Sequence, residues 1–284
     1  MELFRALGSL VEPPGPAQRR LGELLELPGE PNRADHTELF AFQLYPYASV
    51  YLGPEGMLGG VARDRVAGFW RALGLVPPAE PDHLTTLLAL YATLAEREAA
   101  EPEPARAALL GQARRALLDE HLSSWLGPYL DKLVELAPPF YRAWGELLRE
   151  ALRAERATLG PADTLPVHFR DAPPAIDPAE DPATRVRALL APARSGILLT
   201  RSDLARASRE LDLPIRIGDR RFILDTMLQQ DPHATVEWLS AEAERWAGRH
   251  ERRVAEEGDI ARFWAARARH TAAVLRGEAL TVEG

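Results

Sequence analysis

The 284-residue chain contains no cysteine. That single absence excludes disulfides, zinc–thiolate sites, iron–sulfur clusters and cysteine nucleophiles together. Lysine is nearly absent as well, Lys132 being the only one, so arginine supplies almost all the basic charge. There is no basic surplus: 34 basic residues against 42 acidic ones leave a net charge of −8. That is the wrong sign for a protein that grips duplex nucleic acid through a basic face, and it favours a basic partner. No apolar run approaches the ~18–20 residues of a membrane span. The opening residues, MELFRALGSLVEPPGPAQRR, lack the charged, apolar and small-residue sections of a secretory signal. The expectation is a cytoplasmic protein with no membrane insertion. β-branched residues are sparse and no Asn-Gly turn divides alternating runs, so strands are not expected either.

What remains is helical periodicity. In DHLTTLLALYATLAERE, Leu84, Leu87, Leu88, Tyr91 and Leu94 recur on one helical face. PARAALLGQARRALLDEHLSSWL repeats the pattern through Leu110, Leu117, Leu118, His121, Leu122 and Trp125. LDKLVELAPPFYRAWGELLREALRAERATL predicts a helix to about Leu136, a break at Pro138-Pro139, and a second long helix. The fold class is all-α. Residues 1–159 form a helical core. Residues 160–186, rich in proline and aspartate and without an apolar stripe, read as a semi-extended linker. Residues 187–284 form a second helical block, in which Thr200 or Ser202 suits an N-cap and Asp231-Pro232 a cap followed by proline at the first helical position.

Four stretches carry candidate chemistry. YPYASVYLGPEGMLGG, residues 45–60, sets Tyr45, Pro46, Tyr47, Ser49 and Tyr51 ahead of Gly53, Gly56, Gly59 and Gly60. It has neither the Gly-Lys-Ser/Thr ending of a P-loop nor a strand before a dinucleotide fingerprint, so a tight connection between helices competes with a recognition surface. PPAEPDHLTTLL places Pro81, Asp82 and His83 at a helix start. Asp82 there suits an N-cap, and a helix N-terminus disfavours protonation of His83; an Asp–His pair in a groove could also orient a peptide, bind a metal or act as a base. His121 and Trp125 lie one turn apart and can stack, but no HExxH is present, and Asp119 and Glu120 point away from His121 around the helix. Between Arg201 and Asp225, six arginines against five acids fall in helix–turn–helix-like spacing without a net basic face.

In order and spacing, ELF, YPYASVYLG, GMLGG, VAGFWRALGL, EPDHLTTLLALYATL, DEHLSSWLGPYLDKL and PPFYRAWGELL resemble the TorD/DmsD/NarJ-like family over residues 38–152. Members of that family are cytoplasmic chaperones that mature molybdenum-containing oxidoreductases. The resemblance implies a TorD-like helical bundle, here with an additional C-terminal helical block. It implies binding of a twin-arginine leader, or of the immature catalytic subunit, with export delayed until the molybdopterin cofactor is inserted. It also implies no catalytic residue, no metal and no cofactor of the chaperone's own. The leader-binding positions correspond to Tyr45, Pro46, Tyr47, Ser49, Tyr51, Gly59, Gly60, Pro81, Asp82 and His83, with His121, Trp125 and Tyr141 flanking or supporting the groove. Many members carry an acidic residue shortly after the Asp-His pair, where this chain has Leu87 and Leu88. The block after Gly160 fits a lid, a homodimer surface or a client-docking module. Two other readings stand beside the chaperone: a DNA-binding regulator using residues 200–228, and a metal hydrolase using His83 and His121.

Overall fold

The computed structural model describes residues 1–160, 164–215 and 218–277. Among these residues there is no strand, and helices account for the fold, as the periodicity predicts. The chain forms two compact units. The first combines Met1–Ser49 with Leu58–His168; the second combines Val50–Met57 with the described residues from Phe169 onward.

The first unit runs α1 (Glu2–Ser9), α2 (Pro16–Leu24), α3 (Arg33–His36), a π-helical segment π1 (Thr37–Gln43), α4 (Ala48–Leu52, crossing into the second unit), α5 (Gly60–Ala72), α6 (Leu84–Ala100), α7 (Pro104–Ala116), a second π segment π2 (Leu117–Leu122), α8 (Ser123–Leu136) and α9 (Pro139–Leu159). α6 is its central helix. The predicted stripe is buried, and Leu90, Ala92 and Ala95 are buried with it, because α1 and α7 both pack on this helix. α9 is the amphipathic counterpart, burying Phe140, Tyr141, Trp144 and Leu148 on one side against α8 and α1. Each such side chain contributes ~1.5–3 kcal/mol of burial. The Trp144 indole N–H donates to the Leu7 carbonyl at 2.9 Å, so the largest core residue of α9 is also hydrogen-bonded. Lys132, on α8, is completely buried, its Nζ 3.1 Å from Glu135 Oε1.

The second unit contains α11 (Pro182–Leu189), α12 (Pro192–Ser195), α13 (Arg201–Glu210), α14 (Arg220–Gln230), α15 (Pro232–Arg252), α16 (Val254–Glu257) and α17 (Asp259–Leu275); α10 (Val167–Arg170) precedes them across the unit boundary. α15 and α17 form its core around Leu239, Trp246 and Trp264, with Ala261, Ala265, Ala268 and Ala272 allowing close approach. The caps expected at Thr200 and Asp231 are present, accepting from the Asp203 and Ala234 amides.

The stretch 160–186 is more structured than its composition indicates. It contains α10 and the start of α11, and it buries His168, Phe169, Ile176 and Val186. Arg267 Nη2 donates to the Pro173 carbonyl at 2.8 Å, Arg194 Nε to that of Pro174 at 3.1 Å, and His270 Nε2 lies 2.7 Å from that of Ile176. Residues 161–163 lie outside the described residues, as do 216–217 of the DNA-binding candidate.

Candidate functional site

Two distant stretches of the first unit meet at a single antiparallel bridge between Tyr47 and His83. The Leu84 amide donates to the Pro46 carbonyl at 2.8 Å, and the Ala48 amide to the Asp82 carbonyl at 3.1 Å. Asp82 does not cap its own helix. α6 begins at Leu84 with His83 in the N-cap position, and the Asp82 carboxylate instead accepts from the Ser49 amide at 3.0 Å, capping the start of α4. An N-cap pattern is local, but a carboxylate at a helix entry satisfies whichever orphan amide the fold brings to it. The fully buried Ser49 then accepts at its hydroxyl from the Gly59 amide, 3.1 Å away. Gly59 and Gly60 both have positive φ, +92° and +68°, which permits the turn into α5.

The rings complete this frame. Tyr47 sits edge-on to His83 with centroids 4.7 Å apart. The Tyr47 hydroxyl is raised above its ordinary pKa by burial and by its hydrogen bond to Glu80. Burial holds the His83 imidazole below its ordinary pKa, against the pull of Glu12, Glu80 and Asp82. Glu12 Oε1 lies 3.9 Å from His83 Nδ1, and the Glu12 side chain is half exposed. The site is therefore a neutral imidazole and a phenol edged by carboxylates that reach solvent. Tyr45 is exposed one residue before Pro46, whereas Pro46 and Pro81 are buried as backbone supports. Exposed Leu58 and Val61 bracket the Gly59–Gly60 turn.

The remaining expected positions lie elsewhere. Tyr51 is buried and belongs to the second unit. Trp125 is 0% exposed and presents no surface to a ligand. Its ring does not stack on His121; the indole N–H donates to the His121 carbonyl at 2.9 Å, and the ring packs edge-on against Tyr129. His121 Nδ1 lies 3.1 Å from His168 Nε2, both rings being buried. Burial depresses the pair to about 4 and about 3. Among the described residues there is no cluster of three metal-ligating side chains. Tyr141 is buried between Phe40 and Phe140, with His36 nearby. His121, Trp125 and Tyr141 are all buried.

The second candidate, residues 200–228, is committed within its own unit. Arg206 pairs with Glu242 at 2.8 Å and lies over Trp238, 4.9 Å from the ring centre. Arg220 donates to the Leu199 carbonyl at 2.8 Å, and α13 and α14 are separated by 211–219, well beyond a three- or four-residue turn.

Residues 17–131 match the family model described as the nitrate reductase delta subunit. The match covers 115 of the 284 residues. It covers the whole Tyr47–Asp82–His83 frame, together with Glu12's partners but not Glu12 itself. No curated protein matches the chain. Glu12, Glu80, His36 and His168 are the neighbours that motif reading missed. Each approaches from another element, with no spacing signal to the residue it touches.

Proposed function

We propose that this protein is a cytoplasmic chaperone that binds the twin-arginine leader of a molybdopterin oxidoreductase precursor at the Tyr47–Asp82–His83 frame. In this reading it delays export while the cofactor is inserted, and performs no chemistry on the peptide. The observation that carries it is the meeting of two kinds of surface on one frame. Carboxylates of Glu12 and Glu80 act on Tyr47 and His83, exposed Leu58 and Val61 bracket the Gly59–Gly60 turn that is clasped to Ser49, and exposed Tyr45 stands two residues before Tyr47 in the chain. A leader with a basic head and an apolar helical stretch complements both. Its guanidinium groups pair with carboxylates in charge-assisted hydrogen bonds, and its apolar face covers aliphatic side chains in helix-in-groove fashion. The neutral His83 adds no repelling charge.

Isothermal titration with the leader of a co-expressed molybdoenzyme tests this directly. Wild-type protein is expected to bind, and Asp82→Ala/His83→Ala to lose affinity. Undiminished binding by a double variant that remains folded removes the frame from recognition.

A further inference from the structure

The frame is tied to an excursion of the chain that belongs to the other unit. The chain leaves the first unit after Ser49, spends Val50–Met57 in the second, and returns at Leu58. The two ends of the excursion are clasped by the Gly59 amide and the Ser49 hydroxyl at 3.1 Å, and Ser49 is itself fixed by Asp82. Within the second unit the excursion is gripped hard. Val50, Tyr51 and Leu52 are buried, and Gly56 adopts φ +62° against the backbone of Leu190 and Ala191. A Cβ at Gly56 would stand 2.6 Å from the Leu190 carbonyl oxygen and 2.9 Å from the Ala191 Cα, closer than any side-chain carbon tolerates against backbone. Position 56 is therefore closed to every residue but glycine on two counts, handedness and space.

From this we infer that the second unit controls the recognition frame: by holding Val50–Met57, it keeps the Ser49 clasp and the Tyr47–His83 bridge in their binding geometry. The block that sequence leaves without a role thus acts as the regulator of the delta-subunit segment. This rests on the proposed peptide reading for its functional consequence, but not for the coupling itself. The physical basis is short. Only α4, a single helical turn and a half, separates the Asp82-capped Ser49 amide from the buried Tyr51 and Leu52. A helix of that length is not stable alone and takes its conformation from what holds its two ends. Loosening either end loosens the other.

The test has two arms on the full chain. In the first, leader peptide is titrated into wild type and Gly56→Ala, a substitution outside the frame. The expected result is a loss of affinity of about five- to a hundredfold. Equal affinity, with hydrogen exchange showing residues 50–57 released in the variant, overturns the inference while leaving the peptide reading intact. In the second arm, which needs no ligand, hydrogen exchange is compared between wild type and Asp82→Asn. Faster exchange at residues 50–57 and 190–191 supports the coupling; exchange confined to residues 45–49 and 81–84 overturns it. Should wild type bind no leader, the peptide reading fails and the second arm alone decides the coupling. Ser49→Ala, milder than a new side chain at position 56, repeats the second arm if Gly56→Ala does not fold.

Discussion

The Asp82 carboxylate and the Ser49 amide, 33 positions apart in sequence, share a 3.0 Å hydrogen bond that neither solvent nor another helix end can replace, since both residues are buried. Removing the acceptor strands a buried N–H, which costs ~1–3 kcal/mol. Asp82→Ala should lower the urea midpoint accordingly, whereas Asp82→Asn, which keeps an oxygen in place, should lose less. Equal losses would show that charge, rather than the acceptor, stabilises α4.

Buried imidazoles set the acid limb of stability. His121 is held at about 4, and His168 and His250 at about 3, by burial. Unfolded histidine takes up its proton near pH 6.5. Below that value the unfolded chain binds more protons than the folded one, so stability falls as pH falls. The loss accumulates from about pH 6.5 down to about pH 4 for His121, and on to about pH 3 for the others. Urea unfolding at pH 7.5, 6, 5 and 4.5 should show a progressive decline, on the order of two to three kcal/mol per histidine by pH 4.5. His250→Phe, which cannot titrate, should flatten part of that decline.

Two glycines with positive φ should respond to alanine for different reasons. Gly196, φ +72°, would place a Cβ 2.3 Å from the Ala268 amide nitrogen, inside the α12–α17 contact. Gly59, φ +92°, has nothing within 4 Å of that position. Gly59→Ala should cost ~1–3 kcal/mol, the conformational penalty alone. Gly196→Ala adds an overpacking penalty of ~1–3 kcal/mol and should shift the thermal midpoint several degrees further. Paired thermal melts check both.

Leader affinity should carry a signature of the half-exposed carboxylate beside His83. Glu12→Gln is expected to weaken binding roughly two- to fivefold at low ionic strength. The difference should shrink towards nothing by about 0.5 M salt, because exposed charges are screened. A variant effect that persists at high salt would point to packing instead. Titrations at two salt concentrations separate the outcomes.

Periodic and local features were readable from the residues. The α6 stripe from Leu84 to Leu94, the Pro138-Pro139 break, and the caps at Thr200 and Asp231 all follow from spacing and cap chemistry, and all are present. The frame was legible in its members, Tyr47, Ser49, Asp82 and His83, but not in its wiring. A one-residue bridge leaves no alternation to detect, and the carboxylate at position 82 serves a helix that starts 34 residues earlier. The two π segments were equally invisible, since Thr37–Gln43 and Leu117–Leu122 have ordinary helical composition. Proline content misdirected the reading of 160–186. Prolines remove amide donors and suggest loose chain, yet here the carbonyls of residues 173, 174 and 176 are held by side chains from α12 and α17. Composition shows which backbone hydrogen bonds a segment cannot make to itself. It does not show that Arg194, Arg267 and His270, contributed from elsewhere, supply them.

The complete enclosure of Lys132 turns the chain's only ε-amine into a natural reporter. Acylating reagents cannot reach it in the native molecule, so modification at that position clocks how often α8 opens, with no engineered label and no competing lysine to subtract.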